Sequence, residues 1–150
     1  MIQRIQTLYM LVAVIVTSVC LCIPVGAIEP LGMGAWPQVY NLWVDTGDAC
    51  LYGVWPLFAL QLLSIPCAIA AIFLYRQRKL QARVCLLCVG LLLLWYVCYF
   101  AYAYGLYSDL GTFHIRFGAG LPIVAVILYL MARRAILADE RLVRSADRIR

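Results

Sequence analysis

The chain is 150 residues long, 66% hydrophobic and 13% charged, with a formal net charge of +5 and a mean hydropathy of +0.93. Soluble domains carry nearer half apolar and a quarter charged residues, so a water-soluble globule is excluded and lipid is the expected solvent for most of this chain. The length leaves room for one helical domain and no second.

Met1-Ile2-Gln3-Arg4-Ile5-Gln6-Thr7 opens the chain and leads into a long apolar run. In hydrocarbon no water satisfies backbone N–H and C=O groups, so each such run is expected to be a helix of about twenty residues. The first span is expected over residues 8–28. Arg4, the apolar run and Val25-Gly26-Ala27 also have the outline of a cleaved signal peptide, but the run exceeds the usual apolar core of such a leader, so a retained span is expected.

Residues 29–53 place Pro30, Gly32, Gly34, Pro37 and Gly47 among Trp36, Tyr40, Trp43 and Tyr52. This composition predicts a short ordered outer loop whose rings sit at headgroup level, with Trp55, Trp95, Tyr99, Tyr102, Tyr104 and Tyr107 extending the same belt. A second span is expected over 54–75 and a third over 84–107, joined by a loop carrying Arg76, Arg78, Lys79 and Arg83. Only sixteen residues separate Arg116 from Arg133, so the fourth span is expected to begin near Leu110 and end near Ala132, with Arg116 reaching toward the headgroups.

The tail, residues 133–150, is patterned as an amphipathic helix. At 100° per residue Ala135, Ala138, Leu142, Ala146 and Ile149 share one face, while Arg133, Glu140, Arg141, Arg144, Asp147 and Arg148 take the other. It is expected to lie along the cytoplasmic surface or to pack on a partner, and its basic residues favour anionic lipids.

Eleven of the twelve Lys and Arg residues fall in the first turn, the central loop and the tail, leaving Arg116 apart. Cytoplasmic segments retain basic residues, so the expected topology is four crossings with both termini inside. The fold class read from the sequence is thus an all-α membrane protein, one four-helix bundle with an aromatic-rich outer loop and a cytoplasmic C-terminal helix. A nucleic-acid partner is not expected.

Chemistry is sparse. Cys85-Leu86-Leu87-Cys88 has the CxxC spacing of a redox pair, but on this topology it sits at the cytoplasmic entry of the third span, where thiols stay reduced. Cys85 and Cys88 are the candidate redox pair, and the other cysteines read as packing residues. His114 is the only histidine, so no metal cluster is expected. The span interiors hold no ionisable side chain of the kind a proton relay uses, only Thr17, Ser18, Gln61 and Ser64. Gln61 is expected to bond a neighbouring helix. Small residues recur at intervals of four at Ser18, Cys22 and Gly26, at Ser64 and Ala68, and at Ala101 and Gly105, marking close helix approaches within or between subunits. Pro24, Pro66 and Pro122 are candidate bends.

The opening MIQRIQT, the central FLYRQRKLQAR of residues 73–83 and the closing DERLVRSADRIR of residues 139–150 resemble a domain-of-unknown-function family of short bacterial four-span proteins. That resemblance covers the whole chain and implies the inner membrane of a Bacteroidetes-lineage bacterium, with no activity, cofactor or catalytic residue attached. The candidate interaction surface is therefore Gln3, Arg4 and Gln6, with Arg76, Arg78, Lys79 and Arg83, and with Asp139, Glu140, Arg141, Arg144, Asp147, Arg148 and Arg150. Asp139 and Asp147 offer partners to Arg4 or Arg76. The leading expectation is a noncatalytic accessory or assembly subunit, meeting a membrane-protein partner or a second copy of itself. A lipid-, quinone- or small-solute-binding protein and a thiol oxidoreductase remain as alternatives.

Overall fold

The computed structural model describes residues 2–30, 34–47, 49–75, 77–106 and 111–147, without the side chains of residues 2–4, 106, 144, 146 and 147. Helix α1 spans Ile2–Cys22, α2 Trp55–Phe73, α3 Arg78–Ala101 and α4 Leu121–Asp147. All four are long and apolar enough to cross a membrane. They pack in a ring, α1 on α2, α2 on α3, α3 on α4 and α4 back on α1.

One periodicity governs the ring. The main buried stripe takes positions 6, 10, 13, 17 and 20 on α1, 57, 61, 64, 68 and 71 on α2, 81, 85, 88, 92, 95 and 99 on α3, and 125, 129, 132 and 136 on α4, with Ala82 and Val89 buried beside it on α3. Alternating steps of three and four average 3.5 residues, the repeat of left-handed helix packing. The sequence stripe Ser18, Cys22, Gly26 is not this seam: Cys22 is exposed, and the Ser18 hydroxyl donates to its own helix at Val14. Ser64 and Ala68 do lie on it.

Prolines set the helix limits more than they bend them. Ile23 precedes Pro24 and is driven from helical geometry, so α1 stops at Cys22. Pro56 stands in the first turn of α2, and Pro122 is the second residue of α4, where a missing N–H costs nothing. Pro66 alone of the three candidate bends lies inside a helix.

The expected outer loop is a five-stranded antiparallel sheet, an element absent from an all-α reading. Strands β1 (Gly26–Pro30), β2 (Gln38–Val39), β3 (Val44–Asp45), β4 (Cys50–Leu51) and β5 (Gly111–Ile115) lie in the order β4-β3-β2-β1-β5. Residues 26–28, assigned to the first span from sequence, belong to β1, and residues 111–115, assigned to the start of the fourth, belong to β5. The fourth helix gains its length at the other end. It runs unbroken through Arg133 and Arg134 to Asp147, so the tail begins as a continuation of that span and not as a separate surface helix. Its 27 residues measure about 40 Å, against a hydrocarbon core of about 30 Å.

The sheet caps one end of the ring. Ile28, Val39 and Val44 are buried with Val25, Leu57, Trp95 and Tyr99 in one cluster, with Phe113 packed against it. Gly26 permits this, because a Cβ there would lie 2.3 Å from the Phe113 ring. A Cβ on Gly118, in the turn of residues 117–120 that enters α4, would lie about as close to the backbone of Pro24.

Candidate functional site

The interior of the ring is lined by polar seam positions. The Gln61 amide on α2 donates to the Thr17 carbonyl on α1 at 3.1 Å, the interhelical bond expected for it. Ser64 returns a hydroxyl to the Gln61 carbonyl at 2.7 Å. Opposite them Tyr129 is fully buried, and its hydroxyl and the Gln61 side-chain oxygen have no hydrogen-bond partner among the described residues. Each unpaired buried group costs on the order of 1–3 kcal/mol, so this middle layer is the least satisfied polar region of the core.

Towards the sheet a denser network locks helix ends together. Asn41, at the tip of the β2–β3 hairpin, is fully buried and points into the ring. Its amide donates to the Cys20 carbonyl at 2.7 Å, one of the carbonyls that the end of α1 leaves without an intrahelical donor. Its oxygen accepts from the Trp95 indole at 3.0 Å. The Tyr99 hydroxyl donates to the Val25 carbonyl at 2.8 Å, and the Tyr96 hydroxyl to the Ala119 carbonyl at 2.5 Å. Trp95 and Tyr99 stack on each other with exposures of 0% and 2%, so they are core residues and not part of an aromatic belt. Trp55 and Tyr104 remain exposed, at 61% and 68%. Tyr107 lies outside the described residues.

On the solvent face of the sheet, Glu29 and His114 form a pair at 2.9 Å, with the Trp36 ring stacked on the imidazole at 5.2 Å. The β1–β5 register opposes Glu29 to Thr112 and Ala27 to His114, so the pair is a diagonal cross-strand contact. With residues 111–115 read as helix, nothing in the sequence pointed to it.

At the opposite end the candidate interaction surface is partly brought together. Arg78 pairs with Asp139 at 3.0 Å and also donates to its backbone carbonyl at 3.2 Å. Lys79 lies 3.9 Å from Glu140. The intramolecular pairing thus joins the first turn of α3 to α4, with Arg78 in the place the sequence offered to Arg4 or Arg76. Among the described residues no carboxylate pairs with Arg83 or Arg133. Arg141 is exposed. Gln6 turns inward and is 3% exposed, with its amide nitrogen unpartnered among the described residues, and Gln81 is buried as well. Arg76, Arg148 and Arg150 lie outside the described residues, as do the side chains of Gln3, Arg4, Arg144 and Asp147.

Cys85 and Cys88 occupy successive seam positions on α3 and are 1% and 0% exposed. The Cys85 thiol meets the Met10 sulfur at 3.7 Å, and the Cys88 thiol approaches the Ser64 carbonyl at 3.8 Å. Their CxxC spacing is the three-residue step of the packing repeat. Replacing both with Ser is expected to cost on the order of 1 kcal/mol and to leave accumulation near that of the parent, because a helical Ser can return its hydroxyl to its own backbone. A double variant that accumulates normally yet reproduces a deletion phenotype would restore the redox reading. Among the described residues no group of three or more His, Cys, Asp or Glu is placed to hold a metal ion.

A family model described as a domain of unknown function (DUF4293) matches residues 2–149. No match was found among curated proteins.

Proposed function

We propose, from the premise that the chain belongs to the DUF4293 family, that it is a multi-pass protein of the bacterial inner membrane acting as a noncatalytic accessory or assembly subunit. The observation that carries the reading is the segregation of charge along the helix ring. Arg78, Lys79, Arg83, Arg133, Arg134 and Arg141 gather at one end, while the sheet end carries Glu29 and Asp45 beside Arg116. In a bilayer the basic end faces the cytoplasm and the sheet faces outward. Polar side chains on the ring axis are amides, hydroxyls and thiols, which hold helices together, whereas the outward faces are apolar and available to lipid or to another subunit. Anionic lipid and a membrane-protein partner are the ligands that fit these surfaces.

Reporter fusions at residue 79 and after residue 150 should be active only as cytoplasmic reporters, and a membrane-impermeant thiol reagent should label Cys50, which is exposed at the sheet. A periplasm-active reporter at either point overturns the orientation. Native purification with mass spectrometry should recover a protein partner at fixed stoichiometry. Isolation of this chain alone across several mild detergents would overturn the accessory role.

A further inference from the structure

The seam between α3 and α4 carries a feature that the accessory reading leaves unused. At the basic end, Lys79, Arg83 and Arg133 converge with Leu86 and Leu137 on a crevice of about 200 Å³. Arg133 is partly buried and, like Arg83, has no carboxylate partner among the described residues, whereas the neighbouring Arg78 and Lys79 face Asp139 and Glu140. Nearer the sheet, Leu93, Phe100, Ile123 and Ile127 border an apolar groove of about 340 Å³. On α3 the steps from 83 to 86, 90 and 93 are of three and four residues, so all four lie on one stripe. Gly90, at its centre, is exposed, and a Cβ there would meet no atom within 4 Å. Leu130 on α4, between the two crevices, is 39% exposed.

We propose that this seam binds one anionic phospholipid, its phosphate held by Arg83 and Arg133 and one acyl chain lying past Gly90 into the apolar groove. Charge complementarity selects the headgroup, since two guanidinium groups without a carboxylate partner among the described residues present forked donors suited to phosphate. Depth fits the chain: Arg83 to Leu93 is ten residues, or about 15 Å, the thickness of one leaflet's hydrocarbon. The site deepens the membrane reading and rests on it, yet binding in detergent does not depend on which way the protein faces. A failed topology and a failed lipid site are therefore read separately.

The test is native mass spectrometry of the full chain, delipidated in detergent and titrated with phosphatidylglycerol, phosphatidylcholine or inorganic phosphate. Phosphatidylglycerol should bind in preference to phosphatidylcholine, and Arg83→Gln with Arg133→Gln should weaken it about thirtyfold, each base near an anionic headgroup contributing about fivefold. Gly90→Leu should weaken dioleoyl phosphatidylglycerol while leaving the dibutyryl form unchanged, because it obstructs the chain and spares the charges. Leu130→Trp, on the facing helix, gives the same reading if Gly90→Leu does not fold. Equal binding of the two phospholipids, or undiminished phosphatidylglycerol binding by the double Arg variant, overturns the site. Inorganic phosphate binding as tightly as phosphatidylglycerol would overturn the acyl groove.

Discussion

Trp95→Ala is expected to lower the unfolding free energy of the detergent-solubilised protein by about 3–5 kcal/mol, the range for removing a large aromatic side chain from a packed core. Trp95 is fully buried, stacks on Tyr99 at a ring separation of 5.0 Å and donates its indole proton to Asn41. Those contributions can be separated. Trp95→Phe keeps most of the ring and strands the Asn41 oxygen, whereas Asn41→Ala strands both the indole N–H and the Cys20 carbonyl. Each should cost about 1–3 kcal/mol for buried groups left unpaired. The double variant should lose less than the sum, with a coupling energy above about 0.5 kcal/mol. Additivity within that margin would mean that the Asn41 bridge contributes nothing beyond packing. Thermal unfolding gives the energies, and the labelling rate of the buried Cys20 thiol reports independently on whether the end of α1 has opened.

Gly118→Val should be comparably damaging for a steric reason. A Cβ at this position would lie 2.4 Å from the Pro24 carbonyl oxygen and 3.0 Å from its carbon. Both are backbone atoms, pinned between the end of α1 and the Val25 carbonyl that receives Tyr99 and the Arg116 amide. Overpacking of this kind costs about 1–3 kcal/mol and often more against a fixed backbone. Gly90→Ala is the control of opposite sign. Its site is open and inside α3, so it should stabilise by about 0.5–1 kcal/mol. If Gly118→Val unfolds at the same temperature as the parent, the close approach of α4's entry turn to Pro24 does not exist in solution.

The four helices were legible because an unsatisfied backbone is intolerable in hydrocarbon, whatever the side chains. The inward face was not. In a soluble helix Leu86, Leu87, Leu93 and Leu94 would be the first residues assigned to a core, yet all four are exposed, while Cys85, Cys88 and Gln81 are buried. Lipid is as apolar as a protein interior, so hydrophobic contrast vanishes and weakly polar residues at 3.5-residue spacing become the marker. Read with that rule, Gln6, Thr17, Gln61 and Ser64 carried the seam in plain view. The sheet was hidden for a different reason. Three of its strands are two residues long, too short for any alternation to register, and β5 adjoins a helix-forming run that absorbed it. Of the candidate surface, Arg78 and Lys79 lie against Asp139 and Glu140 at one end. Their pairing was not readable, since the turn after α2, tightened by the Gln77 amide on the Leu74 carbonyl, decides which base reaches α4.

The strand order β4-β3-β2-β1-β5 also imposes a schedule. The first strand finds β2 almost at once, but its other edge is reserved for residues made after α2 and α3, with Glu29 and His114 lying 85 positions apart. At translation rates of 5–20 residues per second that edge stands open for about 4–17 s. An open edge is a template for any neighbouring strand. The inward face of α1 waits longer still for α4, its partner in the finished ring. The nascent protein is therefore most exposed to mispairing and proteolysis just before its last helix inserts, and a ribosome stalled after α3 would leave a chain that no amount of further time could close.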